Sequence, residues 1–357
     1  MKTKILFLIS IFVISGFLVG LNVFAQETDA TDTTVEEAVT ADENITAEDL
    51  EVSEPSILPN SPIYPLKDFW RKVRVKLTFN SVKKAELQLK FANERLIEVK
   101  KLVDKTGNEQ ILQGAMDKYQ QEMEIVRNRI EAIKEKAADN PKIDEFLDKF
   151  TDKVIKQERL MNRLEQQLSD KPEVLETIRQ NKERALEHLG ETLNRLEDVD
   201  KIPERLEKNL KNIEGSQYKN FKNLEVLLEL ENKVPEQAKE AIQQAQENAL
   251  KRLHSDLNNM SSEDQAKFKD YLEGVGGNEN TQVEIIDKLQ QKVENRTLPP
   301  ALNQNLNQAK QRAKERIQEF RQNCKNLCGD GKCQQIVCQA IGCPCAETAA
   351  TCPQDCK

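Results

Sequence analysis

Apolar residues recur every three or four positions through most of this chain. Ala85, Leu89, Ala92, Leu96, Val99 and Val103 form one such stripe, and Leu112, Met116, Tyr119, Met123, Val126, Ile130, Ile133 and Ala137 form a second. A stripe that alternates spacings of four and three is the seam of a coiled-coil-like helix. Between the two lies "DKTGNEQ", where Gly107 and Asn108 suit a helix end. The pattern predicts an antiparallel hairpin with its two seams facing each other. After "DNP" the spacing resumes in Ile143, Leu147, Phe150, Val154, Gln157, Met161, Leu164 and Leu168, with one polar interruption.

Prolines then punctuate the pattern. Pro141, Pro172, Pro203 and Pro235 are separated by 31, 31 and 32 residues. Proline fits the first turn of a helix but not its interior, so each predicts the start of a helix of about 28 residues. The even intervals point to a repeat. Shifting the sequence by 64 lays residues 160–196 on 224–260 without a gap, with 12 identities in 37 positions, among them Leu160, Leu164, Ile178, Ala185, Leu189 and Leu193. A further shift of 64 carries Pro235 to Pro299, Ile242 to Leu306 and Ala249 to Ala313. The expectation is four helix pairs, roughly 82–139, 142–199, 203–260 and 262–323, the last interrupted at "EGVGGNENTQ". Such a pair cannot bury its apolar face alone, so neighbours stack. The predicted fold is all-α, an elongated array of antiparallel helical hairpins with a small disulfide-rich module at its C-terminal end.

Composition changes the picture at the two ends. Lys2 and Lys4 precede the apolar run Ile5–Leu21, and Val23 and Ala25 follow at small-residue positions. Basic, apolar, then small-x-small is the order of a secretory signal peptide, residues 1–25. The alternative is an uncleaved N-terminal membrane anchor, since the run is near the lower limit for a span. Residues 26–56 hold eleven Asp and Glu and no Lys or Arg, against a net charge of −8 for the whole chain. They are expected to be a disordered acidic linker. The body that follows is then nearly neutral, which excludes a nucleic-acid surface. The expected domains are residues 57–141 for an opening helix and the first hairpin, 142–323 for the repeated hairpins, and 324–357 for the cysteine module.

The stretch Leu58–Leu102 contains "SPIYPLKDFWRKV", "LTF" and "KKAELQLKFANERLIE". These elements resemble the signature of the family catalogued as domain of unknown function 5667, with weaker similarity to about residue 260. Where the family usually carries Asp-Pro after the Phe of the middle element, this chain has Asn80-Ser81, which still supplies helix-capping residues. The resemblance implies an exported or membrane-tethered bacterial helical protein, with some relatives in envelope-stress signalling. It implies no activity, cofactor or catalytic residue. Read by themselves, Tyr64, Leu66, Phe69, Trp70, Val73 and Leu77 form an amphipathic helix whose other side carries Arg71, Lys72, Arg74 and Lys76. Trp70, Arg71, Lys72 and Arg74 are therefore the candidate membrane or partner contacts. The competing expectation is a capping helix, with Trp70 as a core anchor.

All eight cysteines fall in the last 34 residues: Cys324, Cys328, Cys333, Cys338, Cys343, Cys345, Cys352 and Cys356. No two are separated by two residues and no His is near, so zinc knuckles are disfavoured. In an exported chain they predict four disulfides of undetermined connectivity. The patterns Cys328–Cys333, Cys343–Glu347 and Cys352–Cys356 resemble a cysteine-rich repeat at the ends of bacterial and archaeal surface proteins. Asp330, Glu347 and Asp355 are the candidate calcium ligands there, and calcium is the one cofactor the sequence suggests. Two histidines, His188 and His254, and no phosphate-binding or nucleophile motif argue against catalysis. The expected function is a non-enzymatic structural or interaction protein of the cell envelope, with a protein or envelope-polymer partner. The alternative is a membrane-tethered sensor or regulatory domain.

Overall fold

A computed structural model describes residues 30–231, 233–234, 236–291, 297–324, 326–329, 331, 333 and 345–356. The predicted signal peptide or anchor, residues 1–25, lies outside them. Among the described residues there are twelve α-helices and no strand. They are α1 (Ala30–Glu43), α2 (Tyr64–Leu77), α3 (Ser81–Val103), α4 (Glu109–Glu131), α5 (Pro141–Gln167), α6 (Pro172–Leu196), α7 (Ile202–Asn212), α8 (Lys219–Glu231), α9 (Glu236–Asn259), α10 (Ser262–Gly274), α11 (Glu279–Gln290) and α12 (Pro300–Asn323). Local chemistry sets the boundaries. Asn80, Asn108 and Ser261 each accept the backbone N–H three residues on, capping α3, α4 and α10. Pro141 and Pro172 open α5 and α6, where a missing N–H costs nothing.

The helices pair as predicted: α3 with α4, α5 with α6, α8 with α9, and α11 with α12. Each pair then stacks on the next, through α3 on α5, α4 on α6, α5 on α7, and α8 on α11. The structure carries the repeat further than the sequence match did. The second helices of the four pairs begin at Glu109, Pro172, Glu236 and Pro300, each within one residue of a 64-residue step. Side chains cross between neighbours with the same offset. Gln157 donates to Asn93 at 2.6 Å, Arg159 to Asn223 at 2.6 Å, and Arg127 to Glu191 at 3.2 Å, each pair 64 residues apart. Equivalent positions of successive repeats therefore lie side by side. Burial also exceeds a coiled-coil seam. On α3, Phe91, Asn93, Arg95, Ile97 and Glu98 are buried along with the stripe, because the helix meets α2, α4 and α5 at once.

One expectation fails inside the array. Pro203 does not open a single long helix. The element matching α5 is broken into α7 and α8 at residues 213–218, as its counterpart in the fourth repeat is broken into α10 and α11 at residues 275–278.

The second correction explains the first. Residues 26–56 are not a disordered linker along their described part. Val35, Val39, Ile45, Ala47, Leu50, Val52 and Leu58 join the single apolar core that runs to Ala309. The segment is a strap laid across the array. Its backbone carbonyls are taken by side chains of α3 and α5. Lys100 donates to Ile45 O at 2.8 Å, Lys153 to Asp49 O at 2.9 Å and Asn93 to Leu50 O at 3.0 Å. At its far end Asp42 accepts from the Ser216 N–H at 2.6 Å, from the Ser216 hydroxyl at 2.7 Å and from the Tyr271 hydroxyl at 2.6 Å. Glu43 accepts from the Gly276 N–H at 2.9 Å. Both helix breaks thus expose backbone N–H groups to the two carboxylates. A Cβ at Gly215 would run into the Asp42 carboxylate, so close approach demands glycine there.

Leu50 is wholly buried, whereas Glu48 two residues away is exposed. Leu50→Ala should lower unfolding free energy by about 2–5 kcal/mol, and Glu48→Ala should change it by less than about 0.5 kcal/mol. Urea denaturation followed by far-UV circular dichroism measures both, and equal, negligible effects would restore the linker.

Candidate functional site

Helix α2 is built inside out. Its polar side faces the protein and its apolar side faces solvent. Tyr64, Lys67, Asp68 and Arg71 fall on one face and meet α3, where Glu98 is fully buried. Arg71 pairs with Glu98 at 2.7 Å and Glu94 at 2.8 Å, Lys67 with Glu98 at 2.7 Å, and Arg95 with Asp68 at 2.8 Å. The Tyr64 hydroxyl donates to Glu98 as well. A buried carboxylate is tolerated only when its lone pairs are met, and here three groups meet it.

This arrangement divides the four predicted contact residues. Arg71 is buried and belongs to the ion network, so it is not a surface contact. Sequence could not separate it from Lys72, because both read as basic positions on one helix. Lys72 and Arg74 are exposed. Trp70 is 57% exposed, which overturns its reading as a core anchor. Around it Leu66, Phe69, Leu77 and Phe79 are exposed too, Phe79 at 89%.

A second polar centre, absent from the sequence reading, lies where the strap meets α5, α6 and α8. Lys222 and Glu43 are both fully buried and pair at 3.2 Å, and Lys222 also pairs with Glu225 and donates to Gly276 O at 2.8 Å. Lys182 pairs with Glu165 at 3.0 Å and donates to Asn162 at 2.8 Å. Asn162 in turn donates to Glu158 at 2.5 Å. Burial pushes the Glu158 carboxyl up to about 8, with Lys222 opposing and Glu229 and Glu225 adding to the rise. Burial raises Glu43 and Glu229 in the same way. Burial would lower the Lys182 ammonium, yet the carboxylates Glu165, Glu229 and Glu158 raise it above its ordinary value. The chemistry is that of a filled interior, in which the two buried lysines, Lys182 and Lys222, are each held by carboxylates and by a neighbouring amide or backbone oxygen. Only the spacing of Glu158, Glu165 and Lys182 on apolar faces hinted at it, and abundant surface Glu concealed that hint.

In the cysteine module Cys324 pairs with Cys345, Cys328 with Cys352, and Cys333 with Cys356. Cys338, Cys343 and Asp330 lie outside the described residues. The first bridge ties the tail to the end of α12. Asp355 acts as a clasp, accepting the Gly329 N–H at 2.5 Å and the Gly331 N–H at 3.1 Å. Glu347 is buried. Among the described residues one trio of potential metal ligands converges, Cys328, Cys352 and Asp355, but the two sulfurs are bonded to each other and offer no thiolate. Disulfides of this kind persist in an oxidising compartment. No described helix is long and apolar enough to cross a membrane.

A family model described as a domain of unknown function (DUF5667) matches residues 56–327, from just before α2 through all four repeats to the start of the cysteine module. The strap precedes the matched region. No curated protein and no solved structure matches the chain.

Arg71→Ala should cost about 3–5 kcal/mol, because Glu98 is left buried with fewer partners, while Lys72→Ala should stay within about 0.5 kcal/mol. Thermal or urea unfolding compares them. The interior also predicts a pH dependence. Folded Glu158 keeps a proton that the unfolded chain releases, so stability falls as pH rises from about 4.5 to about 8. Glu158→Gln keeps an acceptor for Asn162 and removes the ionisation. Its urea midpoint should match wild type near pH 4 and exceed it above pH 8. A parallel decline in both proteins would contradict the assignment.

Proposed function

We propose, from the premise that the chain belongs to the DUF5667 family, a non-enzymatic structural or interaction role outside the cytoplasmic membrane. In this reading the four-repeat array is a rigid arm that presents a surface to a partner in the cell envelope. One observation carries it: the apolar side of α2, with Leu66, Phe69, Trp70, Leu77 and Phe79 exposed on a helix whose polar side is locked inward. A monomer gains nothing by exposing such a stripe, and patches of this kind mark interaction sites. The three disulfides are in keeping with export.

A second reading draws on a different observation. The strap joins the N-terminal segment to all four repeats. In a membrane-tethered sensor, a pull on that segment would reach Val35 and Val39 of α1 and then Asp42 and Glu43.

Photocrosslinking from position 70 in intact cells tests the leading reading. Adducts that depend on the probe at Trp70, and not on one at exposed Glu48, are the expected result. N-terminal sequencing of the exported chain decides the second reading, because a mature start at Gln26 removes the tether.

A further inference from the structure

The same face of α2 says what kind of surface it meets, an inference that rests on the interaction reading above and names its partner. We propose that α2 is an interfacial helix that seats on an anionic lipid surface. Leu66, Phe69, Trp70, Val73 and Leu77 fall at spacings of three, one, three and four, one stripe along the helix, and Ile63 and Phe79 extend it at either end. At about 100° per residue, Lys72 and Lys76 flank one margin of that stripe and Arg74 the other. All three are exposed. Trp, Phe and Leu on one side with Lys and Arg beside them is the composition of a helix lying in the headgroup region. The cores of protein interfaces are instead depleted in Lys.

The ion network fixes the orientation. Rolling α2 to hide its apolar stripe would strip Arg71 and Glu98 of their partners. The helix is thus presented in advance, and seating it on a bilayer requires no rearrangement. Beside it, Arg74 and Leu77 open into a cavity of about 550 Å³ lined by Lys83 and Lys90, and by Lys149 and Lys153, which pair with Glu86 and Glu51 of the same wall. This pocket continues the basic margin inward and fits an anionic headgroup whose acyl chains lie along the stripe. At 14 residues α2 is too short to cross a bilayer, so it would lie along the membrane surface.

Trp70 is the single tryptophan of the chain, so its fluorescence reports α2 alone, whatever other segment touches lipid. The full-length chain is mixed with vesicles of phosphatidylglycerol and phosphatidylcholine, or of phosphatidylcholine alone, each with and without brominated acyl chains. The expected result is a blue shift and bromine quenching of Trp70 on the anionic vesicles only. The shift should weaken at high salt. Combined Lys72→Glu, Arg74→Glu and Lys76→Glu should raise the lipid concentration at half-saturation at least about tenfold, as should Phe69→Ser with Leu77→Ser, on the tenfold-per-1.4 kcal/mol scale. All five positions lie outside the network of Arg71, so circular dichroism should show both variants folded. Unchanged emission, or equal shifts on neutral vesicles, overturns the proposal. So does a blue shift without lipid, whether it grows with protein concentration, as self-association would make it, or is constant, as cover by residues 1–29 would. If Trp70 ignores lipid while its protein adducts in cells persist, this inference falls and the broader interaction reading stands.

Discussion

Two adjacent carboxylates, Asp42 and Glu43, hold the far half of this molecule together. Each is fully buried, and a buried carboxylate must be met by donors or it destabilises the fold by several kcal/mol. The donors come from places where regular helix has been given up. Asp42 is met at the break between α7 and α8, and Glu43 at the break between α10 and α11. An unbroken helix would have spent those N–H groups on its own turns. The equivalent helix of the second repeat, α5, meets a strap carboxylate through a side chain instead, Lys153 with Glu51 at 3.0 Å, and it runs unbroken for 27 residues. The irregularities of the third and fourth repeats therefore follow from the strap, and Lys222 completes the arrangement by pairing with Glu43 and Glu225.

The near end of the strap depends on the same rule with the roles exchanged. There the strap contributes backbone carbonyls, and Asn93, Lys100 and Lys153 of the array supply the donors. Helix α2 then inverts the usual arrangement of an amphipathic helix, burying its charges against Glu94 and Glu98. An ion network takes the place of apolar packing at that contact, which leaves the apolar side of α2 free for something else.

How much of this could be read from sequence follows from how redundant each signal is. The repeat was legible because each pair restates it in many apolar positions, so that Leu164 and Leu228, or Leu189 and Leu253, need no partner to be recognised. The strap was not legible. Ile45, Ala47, Leu50 and Val52 sit among acidic residues at spacings that fit no single helix face, and the strap's partners are up to 233 residues away, as for Glu43 with Gly276. High local charge dominated the reading, although the carboxylates that matter, Asp42 and Glu43, are met by Ser216, Lys222, Tyr271 and Gly276. Arg71 and Trp70 were misplaced for one reason. Amphipathicity shows that a helix has two faces but not which one turns inward, and that was decided by Glu98 on another helix. Among the cysteines, oxidation was legible from the company they keep, whereas their pairing depends on loop geometry that no spacing encodes.

The 64-residue offset of the crossing hydrogen bonds has a consequence for the length of the molecule. Stacks of identical contacts have no intrinsic end, since each repeat would accept one more neighbour as readily as the last. The strap does have an end. It leaves α2, crosses the first two repeats, and reaches Ser216 in the third and Tyr271 and Gly276 in the fourth with consecutive residues. An inserted repeat would carry the last seat out of its reach, and a lost one would leave a buried carboxylate with no seat. The acidic segment thus works as a gauge that counts the repeats and fixes the arm at four.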